Sequence, residues 1–310
     1  MVDVTGPGTP YINPAMLTAA PTGISWSTIP DRTATPEQKL AEQLNLCSRA
    51  TAMVDECCNT TLRCTANAET LYGPDYRVTT RTGGVTRVML ARPPVTQVLG
   101  GRVSSAASFP PQWTDIPADQ WQVEQPLIGV YGTSSPSDTG DGGQVVLLAP
   151  GYVDWSRGRN GYMLLINYLN GWPHAGLTAP APRAGDMTLA VDDCTGWAPA
   201  GPGLPGATGI IFDGGQQEAI TVTAATASTG PGTLTLAAPI AYAHQPGTVV
   251  STLPEAVQWA TILMASGMAL TRGATATTIQ SVGGKQQASR SPEDLMAEAR
   301  LIIHPFRRVL

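Results

Sequence analysis

Three helix-start signals, and where they fall along the chain, constrain this fold more than any other feature. Thr35-Pro36-Glu37-Gln38 supplies an N-cap threonine, a proline at the first helical position, an acid in the first turn and a glutamine placed to close a capping box. Thr252-Leu253-Pro254-Glu255 and Ser291-Pro292-Glu293-Asp294 repeat the device near the other end. After the first start, Leu40, Leu44, Cys47, Thr51, Val54 and Cys58 recur at intervals of four and three, which predicts one buried stripe on a helix reaching about Asn59. The second start leads through Val257, Ala260, Leu263, Met264 and Met268 to a stop at Arg272-Gly273. The third carries Leu295, Ala299, Ile302 and Phe306 inward, with Arg300, Arg307 and Arg308 toward its C-terminal end, where cations favour the helix dipole. A single amphipathic helix cannot hide its stripe, so the helix at 36–59 is expected to pack against those at 254–272 and 292–307. The two chain ends then form one helical unit with the rest inserted between them.

That interior reads as strands. Only 13% of the 310 residues are charged, and 33 glycines and 27 prolines favour short runs and turns. Alternating runs at 76–80, 85–90, 95–103, 120–124, 144–148 and 162–168 predict an antiparallel β-domain with one long loop at 134–143. A Pro/Ala-rich joint at 177–182 leads to a second series at 187–191, 209–212, 219–222, 233–236 and 248–250. The expectation is an α+β chain: an extended N-terminal arm (1–34), the first helix (35–66), an antiparallel β-domain (67–176), an inserted all-β module (177–252) and C-terminal helices completing a small bundle (253–310). Tyr11, Ile12, Leu17, Ile24, Trp26 and Ile29 are too apolar for a solvated tail, so the arm is expected to lie on a neighbouring subunit, with Tyr11, Ile24 and Trp26 as its contacts.

Charge and cysteine usage narrow the function classes. A net charge of −5 and a pI near 5.2 argue against tight nucleic-acid binding, which needs a basic face to displace counterions. Residues 178–252 hold five acids (Asp186, Asp192, Asp193, Asp213, Glu218) against Arg183 alone, so most of the charge sits in the second β-series. Four of the five cysteines, Cys47, Cys57, Cys58 and Cys64, crowd into the first helix and its exit. Neighbouring positions point about 100° apart on a helix, so Cys57 and Cys58 read as reduced packing thiols rather than a metal pair, and the compartment as reducing. With no basic n-region before an apolar core and no long apolar run, neither a secretory signal nor a membrane span is expected.

Catalytic patterns find no purchase. His174, His244 and His304 each read as surface or packing residues. Gly201-Pro202-Gly203-Leu204-Pro205-Gly206 matches a dinucleotide fingerprint, but its prolines remove amide donors and no helix follows; Gly283-Gly284-Lys285 lacks the rest of a phosphate loop. Asp138-Thr139-Gly140 is a single copy of the aspartic-protease tripeptide without its leading strand, and Asp141-Gly142-Gly143 has too few ligands after it for calcium. Asn59-Thr60-Thr61 is a glycosylation sequon without a secretory context. The reading is therefore a non-enzyme with no cofactor and no metal.

The order of several short segments resembles the head-to-tail adaptor (connector) family of tailed bacteriophages, actinobacteriophage type. The residues that carry it are Ala20-Pro21-Thr22-Gly23-Ile24-Ser25-Trp26, Ser48-Arg49-Ala50-Thr51-Ala52-Met53-Val54-Asp55, and Arg92-Pro93-Pro94-Val95-Thr96-Gln97-Val98. They continue with 155–171 ending in Asn170-Gly171-Trp172-Pro173, then Ser281-Val282-Gly283-Gly284, and a closing helix 301–308 with its arginine pair. The resemblance covers roughly 16–176 and 253–308, and 178–252 departs from it. It implies a structural virion protein of the neck, with about twelve copies in a ring. The ring would sit between the portal protein and the stopper or tail-terminator protein, extend the DNA channel and touch genomic DNA only in passing. It further implies portal contact through Phe306, Arg307, Arg308 and Leu310, and suggests the insert as a peripheral module. The alternative is a phage tail or surface module whose β-rich insert binds host glycan, with Trp155, Trp172 and Trp197 as stacking faces.

Overall fold

In the computed structural model the described residues are 8–72, 77–80, 86–105, 110–123, 144–147, 162–199, 206–213, 215–272 and 291–307. The chain is α+β. Its helices are α1 (Pro14–Ala19), α2 (Pro36–Cys58), α3 (Glu255–Thr271) and α4 (Pro292–Ile303). The capping box at α2 is formed: Gln38 N donates to Thr35 Oγ1 at 3.3 Å, and Thr35 N to Gln38 Oε1 at 2.9 Å. Ser291 and Asp294 do the same for α4. The start of α3 differs from expectation, because Pro254 occupies the N-cap and offers no side-chain cap; the Thr252 hydroxyl instead donates to Pro173 O.

α2, α3 and α4 share one core with α1. Leu46, Cys47, Ala50, Val54 and Cys58 meet Val257, Leu263, Met264 and Met268 of α3 and Leu295, Ala299 and Ile303 of α4. α3 is buried almost all round, consistent with its apolar sequence. Gly267 lets α4 approach: a Cβ there would lie 3.0 Å from both Pro292 O and Met296 Cγ. The expected α2 stripe is corrected at its first two positions. Leu40 and Leu44 are 51% and 43% exposed, because α3 stops short of them and its C-cap Arg272 pairs with Glu42.

The strands are β1 (Thr65–Tyr72), β2 (Val78–Thr80), β3 (Thr86–Met89), β4 (Val95–Ser105), β5 (Thr114–Ile116), β6 (Trp121–Val123), β7 (Gln144–Leu147) and β8 (Tyr162–Asn170). They form two antiparallel four-stranded sheets, β1-β8-β4-β5 and β2-β3-β7-β6. Leu71, Val98, Val103, Ile116, Leu164 and Ile166 from the first sheet pack with Val88 and Trp121 from the second, so the domain is a small sandwich around one core.

Six further strands follow: β9 (His174–Gly176), β10 (Thr188–Val191), β11 (Thr208–Phe212), β12 (Glu218–Ala225), β13 (Gly232–Leu236) and β14 (Val249–Ser251). Their order is β10-β13-β12-β11-β14-β9, and the two ends meet. Leu177, just past β9, bridges Val191 of β10, Thr178 N donates to Ala190 O at 2.9 Å, and Asp192 N to Gly176 O at 3.0 Å. The module is thus curled into a barrel whose two end strands are bridged to each other. Trp197 fills its centre over Gly209, where a Cβ would lie 2.8 Å from the indole. A register shift between Val222 and Ala224 bends β12.

The expected extended arm is replaced by an intramolecular strap over residues 8–34. Tyr11, Ile12, Met16, Leu17, Trp26 and Ile29 are buried in the chain's own helical core, and Ile24 packs partly buried against it. Tyr11 and Trp26 are covered within the subunit and so are not free to grip a neighbour, while Ile24 keeps part of its surface.

Candidate functional surfaces

The strap is fastened by polar groups from α2, the turn after it and the barrel. Asn13 caps α1 by accepting from Met16 N at 2.9 Å, and its Nδ2 donates to Phe212 O of the barrel at 2.9 Å. Tyr11 Oη donates to Asp55 Oδ1 at 2.5 Å and accepts from Leu62 N at 3.0 Å and Arg63 N at 3.2 Å. Burial, then the Asp55 charge, push the Tyr11 phenol well above its ordinary range; burial also raises the Asp55 carboxyl against these hydrogen bonds. The Thr9 hydroxyl donates to Asp192, whose other oxygen accepts from Gly176 N at 2.7 Å.

His174 completes the fastening. Burial pushes its imidazole down to about 4, so at neutral pH it is uncharged. Nε2 then donates to Pro10 O at 2.9 Å, and Nδ1 accepts from Ser251 Oγ at 2.8 Å. Ser251 and His174 have the contact distance of a nucleophile and its base, but both are buried and the imidazole's second nitrogen is committed to a carbonyl. The pair is a clasp between β9, β14 and the strap. Tyr11 meets the His174 ring edge-on at 5.5 Å.

In the barrel, His244 is fully buried between Asp213 Oδ2 at 3.0 Å and Glu218 Oε1 at 2.7 Å. Glu218 also accepts from Ala241 N at 2.6 Å and Tyr242 N at 3.3 Å. Burial alone would raise the Glu218 carboxyl, but the Ala241 amide, His244 and the Tyr242 amide outweigh it and hold the group below its ordinary value. This ties the 239–247 loop to the β11–β12 hairpin. Sequence reasoning missed both clusters, since nothing local distinguishes a histidine that meets partners far along the chain.

A third junction gathers segments that the resemblance rests on. Gly171 N donates to Pro94 O at 2.9 Å, and the Thr96 hydroxyl donates to Gly171 O at 2.9 Å. Trp172 N donates to Leu62 O at 2.9 Å, Cys64 N to Trp172 O at 2.8 Å, and Thr252 N to Pro173 O at 2.9 Å. The Trp172 ring packs edge-on against Phe306 at 5.9 Å. Gly171 takes φ 97°, where a Cβ would lie 2.5 Å from Arg63 O, so only glycine fits this crossing.

Of the expected portal contacts, Phe306 is half-buried on Trp172 and Arg307 is exposed, while Arg308 and Leu310 lie outside the described residues. The exposed stripe of α4 is Ala297, Arg300 and Leu301, continued by His304 at the C-cap, with Leu301 77% exposed. Of the stacking tryptophans, Trp197 is buried in the barrel, Trp172 is half-buried with an edge contact to Phe306, and Trp155 lies outside the described residues. So do Asp138-Thr139-Gly140, Gly283-Gly284-Lys285 and all but Gly206 of the 201–206 loop. Among the described residues no group of three or more His, Cys, Asp or Glu is placed to hold a metal, all five cysteines are free thiols, and no helix is long and apolar enough to cross a membrane. No family model, curated protein or solved structure matches this chain.

Proposed function

We propose that this chain is a structural, non-enzymatic virion subunit: a head-to-tail adaptor that assembles into a ring between the portal and the tail-proximal proteins of a tailed bacteriophage. The observation that carries the reading is the Trp172 junction. The Arg92-Pro93-Pro94 entry to β4, the Asn170-Gly171-Trp172-Pro173 corner and the closing helix at Phe306 are far apart in sequence, yet they meet at one crossing. Segments that resemble one family in order also fit together in space, as parts of one architecture do. The clusters that look chemical, Ser251–His174 and Asp213–His244–Glu218, are spent on holding loops and the strap in place. What the subunit offers a partner is surface, and the exposed α4 residues Arg300 and Leu301, with Arg307 just beyond the helix, are the proposed portal contact.

The test is binding to a tailed-phage portal protein. Truncating α4 would be uninformative, because Leu295, Ala299 and Ile303 belong to the core. Leu301→Ser combined with Arg307→Glu leaves the core intact and is expected to abolish co-sedimentation with the portal. A wild-type protein that ignores the portal and binds cell-wall glycan instead would replace this reading with the tail-module alternative.

A further inference from the structure

Nearly every sheet edge in this fold is short or closed. β2, β5 and β6 have three residues each, and the end strands of the barrel are bridged to each other. Among the described residues β1 is the longest open edge. It runs eight residues, pairs without a register shift to β8 on one side, and makes no backbone hydrogen bond on the other among the described residues. Natural edge strands of this length are blunted by lysine, proline or a bulge, and Thr65–Tyr72 has none of these. Its single charge, Glu69, is turned to the inner face, where it meets Arg77, Ala91 N at 2.9 Å and the Tyr168 hydroxyl at 3.2 Å.

The outer face beside that edge is uncharged. Ala66, Ala68, Thr70 and Tyr72 are exposed, Tyr72 at 64%, and Met163 and Leu165 continue the surface on β8. Charge appears only on the far side of the sheet, where Arg102 Nε pairs with Asp115 Oδ1 at 2.7 Å. An open strand edge of this kind is completed by another extended strand.

We propose that β1 is a self-association edge, at which two copies of this chain pair β1 to β1 antiparallel about a two-fold axis at Ala68. The charges select both the occupant and the register. With Ala68 opposite its own copy, Thr70 faces Ala66, and Asn67, which holds the Arg92 guanidinium, faces the other copy's Glu69. Centring on Glu69 would oppose two carboxylates, and centring on Asn67 would oppose two Arg92 side chains; like charges directly across a ladder are destabilising. Pairing at Ala68 therefore brings opposite charges together and joins two four-stranded sheets into one continuous sheet. This inference stands apart from the adaptor reading, since it concerns the sandwich rather than the α4 surface.

The two-fold places residue 68 against itself, which gives a specific test by analytical ultracentrifugation. Wild-type protein is expected at twice the 32.3 kDa chain mass. Ala68→Lys and Ala68→Glu, at an exposed position, should each keep the wild-type circular dichroism and melting temperature yet sediment as monomers. An equimolar mixture of the two should recover the dimer, because lysine then faces glutamate. Wild-type protein that stays monomeric at its highest soluble concentration overturns the proposal. So does a dimer that survives both substitutions, or two monomeric variants that fail to recombine.

Discussion

Replacing Tyr11 with phenylalanine removes one oxygen from the centre of the strap and keeps the ring's edge contact with His174. Three partners lose it: Asp55 Oδ1 at 2.5 Å, Leu62 N at 3.0 Å and Arg63 N at 3.2 Å. Leu62 N keeps a second acceptor, Asp55 Oδ1 at 3.2 Å, so the Arg63 amide is the group left without one. A hydrogen bond to a charged group contributes about 1.5–3 kcal/mol, and a buried amide without an acceptor costs about 1–3 kcal/mol. Arg63 is only half-buried, so water recovers part of this, and the expected destabilisation is about 3 kcal/mol. Urea unfolding followed by tryptophan fluorescence reads the change as a lower midpoint at unchanged slope, with coincident circular dichroism checking that three cores unfold together. Tyr72→Phe, which removes an exposed hydroxyl, is the control and should leave the midpoint unchanged. A Tyr11→Phe loss below about 0.5 kcal/mol would refute the claim that the strap is locked through this hydroxyl.

Three further outcomes are expected. Gly171→Ala drives a Cβ toward Arg63 O and Leu62 O at a positive φ, and should cost about 3 kcal/mol or abolish soluble expression, as a thermal melt would show. Native protein should react quickly with a thiol reagent at Cys57 alone, because Cys47, Cys58 and Cys64 are buried with thiols pushed up to about 12 and Cys194 is buried too; denaturation should release all five. Glu218→Gln should destabilise the barrel in a pH-dependent way. The folded carboxyl lies below its unfolded value, so its contribution is complete above the unfolded value of about 4.3 and is lost as pH falls through the folded one. The gap between wild type and variant should therefore be constant near neutrality and close in acid.

Local chemistry made the helices legible. Capping boxes at Thr35 and Ser291 depend on residues three apart, so the sequence carries the whole signal. The barrel strands were legible for a similar reason, since alternating Thr, Ile, Val and Leu between Gly and Pro turns leaves few other options. β1 was not, because Thr65–Tyr72 is rich in Ala, Asn and Glu, which strands disfavour; its pairing with β8 decides its state. β5 and β9 are too short to show a period. Helical periodicity named Leu40 and Leu44 as core but carries no information on where the facing helix ends. The strap failed for another reason: its apolar residues fit separate places in the core, so they have no common period, and an irregular apolar run reads as an arm. The His174 and His244 clusters rest on contacts between residues 26 to 164 apart, beyond any local pattern.

Imaging the purified protein mixed with a tailed-phage portal protein tests the proposed adaptor role most directly. The adaptor reading predicts a ring of this subunit docked coaxially on the portal, lost in the Leu301→Ser, Arg307→Glu variant while that variant keeps its wild-type melt. Portal particles that stay bare at every ratio and in every assembly state would contradict it.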